Sequence, residues 1–313
     1  MSELPSLFAE RLQKIIPPEY GDSVRHSFSS PKPRCFRINR LKVKAAAACR
    51  QLSEKGIVFT NISWYEDAII LAQRELMPQR ILELVQEGGL YQQSLSSMLV
   101  PLILDPQPHD KVLDMCAAPG SKTTQMAALM HNEGEITALE SSRARFYKLK
   151  SVTAILGVQN VRAQRIDARR FRSADLFDRI LLDAPCSTEG RFNLSDKKSF
   201  GFWSLRKIHE MVRKQRGLIL QAVRLLKPQG VLVYATCTFS PEENEGIIDW
   251  VLKKSERRLQ VVPVEAGRWP GILTYPAVIQ WEEKQYDSQT RNCLRILPNH
   301  IMDGFFVAKL MLA

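Results

Sequence analysis

The sequence predicts an α/β domain built on a parallel sheet with helices on both faces, preceded by a smaller α+β unit. Three observations lead there. From Lys111 onward, short apolar runs alternate with stretches of helical periodicity. Those runs are nearly continuous in apolar character, as strands covered on both faces must be. Upstream, the turn-rich Asp105-Pro106-Gln107-Pro108 divides this regular alternation from a block in which strand-like and helix-like stretches are mixed. The expected domains are therefore residues 1–104 and 105–313.

In the first block, Leu7, Phe8, Leu12, Ile15 and Ile16 recur at helical spacing, "CFRINRLKV" alternates as a strand, and "AAAACRQLSEKG" reads as a helix closed by Gly56. "VFTNISW" and "AIILA" read as strands, and "RELMPQRILELVQEGG" as a further helix. In the second block, strands are expected at Lys111–Cys116, Glu135–Leu139, Val161–Ile166, Arg179–Asp183 and Val231–Thr236. Helices are expected over Ser121–Met130 and Ser142–Leu156, through "IHEMVRKQRGLILQAVRLLK" to a stop at Pro228-Gln229-Gly230, and over "PEENEGIIDWVLKK". "GFFVAKL" alternates like an edge or antiparallel strand. Ligands of open parallel sheets bind beyond the carboxyl ends of the strands. That rule places Cys116, Glu140, Asp167, Asp183 and Cys237 along one rim.

Composition narrows the class. In 313 residues, 45% are hydrophobic and 25% charged, ordinary for a globular protein. No apolar run approaches the roughly 18–20 residues of a membrane span, and the N-terminus has no signal-peptide pattern; a cytoplasmic protein is expected. Within this length neither an additional all-helical N-terminal domain nor a C-terminal RNA-binding appendage is expected. The net charge of +11 favours a polyanionic partner. Six cysteines include no C-x-x-C pair and none at zinc-finger spacing from a histidine pair, so neither metal nor disulfide framework is expected.

Candidate chemistry sits at the strand ends. "DMCAAPGSKTT" (Asp114–Thr124) takes a strand through a turn of small residues into a helix, which lets backbone approach a ligand closely. It matches neither the dinucleotide nor the phosphate-loop motif. Glu140 is placed to accept both hydroxyls of a ribose, and Asp167 to accept an exocyclic amino group of adenine. Each alone is more often a solvated strand-end acid, and it is the three successive strand ends carrying such groups that favour a ligand. "LLDAPCSTEG" brings Asp183 and Cys186 to the rim, and "VYATCTFSPEENE" brings Cys237. The two thiols could be packing residues, a redox pair or catalytic groups.

These segments, with "ALESSRAR", "RIDARRF", "FRINRLK", "GGLYQQSLSSML" and "DGFFVAKL", resemble the RNA cytosine-C5 methyltransferases of the Nop2/Sun family, in order and approximate spacing from Pro33 to Leu310. The resemblance implies a Rossmann-like, seven-stranded, mainly parallel methyltransferase domain using S-adenosylmethionine, and an N-terminal α+β module similar to an RNA-recognition domain. By motif position it implies Cys237 as nucleophile, Cys186 as the residue assisting elimination, Asp183 holding the cytosine edge and Lys122 orienting Asp183 and the base. It implies Cys116, Ala117, Ala118, Pro119, Gly120, Ser121, Lys122, Glu140, Arg145, Asp167 and Asp183 as the cofactor-binding set. Ser94 and Val152 depart from the family's usual acid and asparagine.

The chemistry accounts for the two thiols. Carbon 5 of cytosine is a poor nucleophile until a thiolate adds to carbon 6, and the target base must first be unstacked. The expected substrate is ribosomal or transfer RNA, acted on by a monomer, with phosphate contacts from Arg169, Arg170 and Arg172 or from "KPRCFRINRLKVK", and base stacking by Phe202. Trp203 is expected in the core. Two alternatives compete: a DNA cytosine methyltransferase, in which Cys186 would be the nucleophile, and a non-catalytic RNA-binding scaffold.

Overall fold

The computed structural model describes residues 3–72 and 77–312. The chain begins with α1 (Ser6–Ile15) and α2 (Gly21–Ser27), then β1 (Cys35–Ile38), α3 (Ala45–Glu54), β2 (Phe59–Ile62), β3 (Tyr65–Leu71), α4 (Gln79–Gln86), β4 (Leu90–Gln92) and α5 (Leu95–Leu104). It continues through β5 (Lys111–Asp114), α6 (Ser121–Leu129), β6 (Glu135–Leu139), α7 (Arg143–Ile155), β7 (Val161–Gln164) and β8 (Phe177–Asp183). Then come α8 (Leu205–Leu225), β9 (Leu226–Thr236), α9 (Glu245–Lys254), β10 (Leu259–Val262), β11 (Thr274–Tyr275), β12 (Gln280–Trp281), β13 (Lys284–Gln285), β14 (Leu294–Ile296) and β15 (Phe305–Leu312). No described helix is long and apolar enough to cross a membrane.

Two compact units emerge. One comprises Pro33–Leu181 with Arg268–Pro270; the other comprises Met1–Lys32, Leu182–Gly267 and Gly271–Ala313. Within the Pro33–Leu181 unit, β2-β3-β1-β4 form an antiparallel sheet. Phe36, Ile38, Ile69 and Leu71 pack with Leu52 of α3 and Ile81 and Leu84 of α4. The helix expected from Arg74 begins only at Gln79, because Pro78 caps it from outside; Arg74, Glu75 and Leu76 lie outside the described residues. The same unit carries the parallel neighbours β8-β5-β6-β7.

Asp105–Pro108, read as a boundary, thus lies inside a unit. Its two sides are tied by polar contacts: fully buried Arg37 of β1 donates to Gln93 Oε1 at 3.0 Å and to Thr124 Oγ1 of α6 at 2.8 Å, while Gln93 donates to Gln125 at 2.8 Å.

In the other unit α1 and α2 do not join the α+β module. Phe8, Leu12, Val24 and Phe28 pack instead against Phe192, Phe200, Phe239 and Trp281. Here β15 lies antiparallel to β9, β14 and β10, so the terminal strand is antiparallel but interior rather than an edge. In this unit β10 and the two-residue β11 add to the strands expected, paired to β15 and β14. Both come from a stretch too short in apolar pattern to read as strand.

The long α8 has Ile208, Met211, Leu218, Ile219 and Ala222 on its buried face and Ser204 as N-cap. It ends at Leu225, three residues before Pro228, because the ring cannot accommodate the preceding helical turn; β9 absorbs Pro228–Gly230. Beneath β15 lies a buried bidentate ion pair: Arg295 donates through Nε and Nη2 to the Glu245 carboxylate, each at 2.6 Å, and through Nη1 to the Phe239 carbonyl at 3.0 Å. Removing one partner leaves an uncompensated buried charge. Glu245→Met should therefore cost about 3–5 kcal/mol in urea unfolding, and the Glu245→Met, Arg295→Met double variant should recover much of that loss.

Candidate functional site

In the Pro33–Leu181 unit, the loop after β5 is closed by side chains on either side of it. Buried Asp114 accepts the Thr123 hydroxyl at 2.7 Å, and Ala117 N–H donates to the Leu139 carbonyl at 2.9 Å. Gly120 has φ +113°, and a Cβ there would lie 3.1 Å from Leu149 Cδ1 and 3.3 Å from Val152 Cγ1. Only glycine suits that conformation and that approach of α7. Val152, the departure from the family pattern, is therefore a packing residue. Ala117 and Ala118 are buried, Cys116 and Ser121 half-buried and Pro119 exposed. Lys122 is buried in the first turn of α6.

Arg145 joins this loop to the end of β6. Its Nη2 donates to the Ala118 carbonyl at 2.5 Å, and its Nη1 lies 3.4 Å from the buried carboxylate of Glu140. Glu140 Oε1 also accepts Ser142 N–H at 2.8 Å. Asp167 follows β7 and accepts from Arg169 through the backbone at 3.0 Å and through the guanidinium, which holds its carboxyl below the usual range. Small residues around a helix N-terminus without a side-chain cap, and an acid after each of the next two strands, form a donor set suited to an adenosine with an amino-acid tail.

The thiols belong to the other unit, where the ends of β8 and β9 are joined by Ala184 N–H donating to the Ala235 carbonyl at 2.9 Å. Half-buried Cys186 and Cys237 lie Sγ to Sγ at 3.4 Å, both free thiols. They are not equivalent. The Cys186 S–H facing it pulls the Cys237 thiol below its usual value; burial opposes this, and the Arg191 guanidinium assists it. Cys186, which keeps the shared proton and is itself desolvated, is pushed well above that value. Asp183 ends β8, half-buried.

Each thiol loop is fastened by a glutamate from the other. Glu189, three residues after Cys186, accepts the Thr238 hydroxyl at 2.8 Å, Phe239 N–H at 3.0 Å, and Ser240 N–H and hydroxyl at 2.9 and 2.8 Å. Glu243, six residues after Cys237, meets the Ser187 hydroxyl in a short contact and accepts Ser187 N–H at 3.1 Å. Gln215 of α8 bridges Glu243 at 2.8 Å and the Pro185 carbonyl at 2.9 Å. Asn244 donates to the Thr238 carbonyl at 2.9 Å and accepts the Thr236 hydroxyl at 2.5 Å, holding the residues on both sides of Cys237. The helix expected over "PEENEGIIDWVLKK" consequently starts only at Glu245, since Pro241–Asn244 form the turn that aims these side chains inward.

Sequence reasoning missed Ser187, Glu189, Arg191, Gln215, Thr238, Glu243 and Asn244; most lie in the motifs quoted for the thiols, but spacing gives no sign of their crossed pairing. One expectation about surface charge needs correction: Arg37 is fully buried and makes internal hydrogen bonds, so it is not available to a phosphate. Arg169 is exposed and pairs with Asp167. Trp203 packs 5.5 Å from the Phe8 ring and donates its indole N–H to Glu189 at 2.7 Å, while Phe202 is 86% exposed. Among the described residues no group of three metal-ligating side chains occurs.

Such a fold and donor set define an S-adenosylmethionine-dependent methyltransferase. A family model described as 16S rRNA methyltransferase RsmB/F matches residues 101–311, and a second, the ferredoxin-like domain of RsmF/B-like methyltransferases, matches residues 4–76. The chain belongs to this family, within the Nop2/Sun RNA cytosine-C5 methyltransferases. It is 41% identical over 228 residues to the tRNA (cytosine(49)-C(5))-methyltransferase of Pyrococcus abyssi, covering 71% of this chain and 70% of that one. It is 33% identical over 317 residues to ribosomal RNA small subunit methyltransferase F of Cronobacter sakazakii, covering 98% of this chain but only 63% of that longer protein. A solved methyltransferase homolog from Pyrococcus horikoshii superposes with TM-score 0.84 at 31% identity, covering 98% of this chain and 95% of the other.

The proton arrangement between the thiols yields a direct expectation. Cys186→Ala removes the S–H donor, so the Cys237 thiol should rise toward its ordinary value and its thiolate fraction at pH 7 should fall several-fold, roughly. Alkylation of Cys237 by iodoacetamide, followed by peptide mass spectrometry, should slow accordingly, and unchanged alkylation would exclude the proposed donor.

Proposed function

We propose that this chain methylates carbon 5 of a cytosine in ribosomal or transfer RNA, with Cys237 as the covalent nucleophile. The observation that carries this reading is the 3.4 Å thiol pair with one member biased toward thiolate and the other toward thiol. A buried structural pair has no need of that bias, whereas a nucleophile and its proton-holding partner do.

Bound S-adenosylmethionine supplies the methyl group as an electrophilic sulfonium carbon. Cys116–Lys122, Glu140, Arg145 and Asp167 are the residues proposed to hold it: the small-residue loop would offer backbone, and Glu140 would accept the ribose hydroxyls. Arg145 keeps Glu140 and the loop in register. On the substrate side, Cys237 Sγ adds to carbon 6 of the cytosine, and the displaced electron pair makes carbon 5 an enamine carbon. Asp183 is the residue proposed to hold the cytosine edge. Once carbon 5 is methylated, loss of its proton and cleavage of the carbon 6–sulfur bond restore the ring and the Cys237 thiolate, with Cys186 assisting that stage. Exposed Phe202, followed by Arg206 and preceded by Lys197 and Lys198, is suited to stack on an unpaired base.

The test uses transcribed ribosomal and transfer RNAs with labelled methyl donor. Wild type should form 5-methylcytosine. Cys237→Ala should form neither product nor a denaturant-resistant RNA adduct, and Cys186→Ala should accumulate the adduct. Full activity of Cys237→Ala together with a dead, adduct-free Cys186→Ala would transfer the nucleophile to Cys186. Donor binding without methylation of any RNA would leave a scaffold.

A further inference from the structure

Four groups beside the thiols stand in a row joined by three oxygen–oxygen contacts: Glu243 to Ser187, Ser187 to Thr238 at 2.7 Å, and Thr238 to Glu189 at 2.8 Å. Each contact needs one hydrogen. The two hydroxyls supply two. With both carboxylates ionised, Ser187 would donate to Glu243 and Thr238 to Glu189, leaving two hydroxyl oxygens facing lone pair to lone pair in a buried site. Such an arrangement is costly, so a third proton is required.

Its location follows from the other contacts. Glu189 has no place for it: Oε1 accepts Trp203 Nε1 and the Ser240 hydroxyl, and Oε2 accepts Phe239 N–H, Ser240 N–H and the Thr238 hydroxyl. On Glu243, Oε2 accepts Gln215 and Ser187 N–H, while Oε1 faces the Ser187 hydroxyl closely and Ser187 N–H only at 3.3 Å.

We propose that Glu243 is a neutral carboxylic acid that positions the two thiol loops by donating into a one-way chain, Glu243 to Ser187 to Thr238 to the Glu189 carboxylate. Glu243 is a positioning residue, not one that touches the base. The proposal rests on the assignment of Cys186 and Cys237 as the reacting thiols. Losing the proton deprives the chain of a hydrogen and places a second negative charge beside the pair.

The surroundings agree. Burial, with the nearby Glu189 charge adding, pushes the Glu243 carboxyl up to about 8. Facing it are Glu189 and Cys186 from the loop after β8, neutral Gln215 from α8, and Tyr234 of β9, whose hydroxyl bonds the Glu243 carbonyl at 2.6 Å. Its neighbours Glu242 and Glu245 are engaged by Arg11 and Arg295.

Two variants of the full chain separate a neutral acid from an ionised one. Glu243→Gln keeps a donor toward Ser187, so kcat at pH 7 should stay within about threefold of wild type, whereas Glu189→Gln puts donors among five donors and should lose roughly tenfold or more. Wild-type activity should decline as pH rises through about 8, and Glu243→Gln should lack that decline.

Thermal unfolding needs no RNA and decides the matter separately. A carboxyl raised from its ordinary 4.5 to about 8 on folding contributes stability that is full below 4.5 and lost as pH rises to about 8. The Tm difference between Glu243→Gln and wild type should therefore move in the variant's favour from pH 5 to pH 8. A difference that stays flat, with Glu243→Gln as impaired as Glu189→Gln, overturns the neutral acid while leaving RNA methylation standing. Absence of methylation with the expected Tm trend overturns the functional reading while leaving the proton on Glu243.

Discussion

The geometry of the thiol pair depends on one constraint, the crossed fastening of two loops by two buried glutamates. Strands β8 and β9 end side by side, and each sends a cysteine into the loop beyond. Loops at strand ends are ordinarily the mobile part of an α/β sheet. Here Glu189 from one loop takes four groups of the other, and Glu243 returns the grip through Ser187 and Gln215. Neither loop can shift without stripping a buried carboxyl of its donors, a loss of order 1–3 kcal/mol for each unmet group. Gly190 N–H on the Cys237 carbonyl, at 2.9 Å, adds a direct backbone tie. The 3.4 Å sulfur separation is thus held from beneath rather than by a bond between the sulfurs.

Polar burial of this kind is hazardous unless complete, and the surrounding sequence completes it. Asn244 uses both ends of its amide on the residues flanking Cys237, and Arg295 uses its full fork on Glu245, Phe239 and Tyr275. The segment from Thr236 to Glu245 is therefore a single hydrogen-bonded unit in which almost every side chain has a structural task. That explains why this turn can be rich in serine, threonine and glutamate and still be rigid: the residues that would compete with a helix are used here to replace one.

How much was legible follows from the range of each interaction. The apolar runs mark β5, β6, β8 and β9 to within a few residues, and the small-residue turn after β5 is visible because glycine at positive φ and alanines beside it leave a compositional trace. Cys186 and Cys237 could be singled out from their places at strand ends. Their partners could not, because Ser187 and Glu243 lie 56 positions apart and meet only once the registers of β8 and β9 are known. The start of α9 was read four residues early for the same reason: Glu243 and Asn244 look like good first-turn residues until their side chains are needed elsewhere. Charge counting failed differently. Arg37 looks like part of a basic surface, yet it is fully buried and bonded to Gln93 and Thr124, since a strand alternates faces and a long guanidinium can serve the inner one.

Two chemically identical thiols reach different protonation tendencies. The distinction arises from direction. A single proton between two sulfurs must belong to one, and Arg191 favours leaving the charge on Cys237, while Glu243, should it ionise, would weigh against charge on Cys186. Cys186 is attached to the loop that Glu243 holds, and Cys237 to the loop that Glu189 holds, so the asymmetry of the glutamates is mirrored in the asymmetry of the thiols. In the proposed reaction Cys237 would need low proton affinity before attack, and Cys186 would need a retained proton until the adduct has formed. One network of buried hydroxyls and carboxyls meets both demands, because the same contacts that fix position also fix which oxygen or sulfur carries each hydrogen.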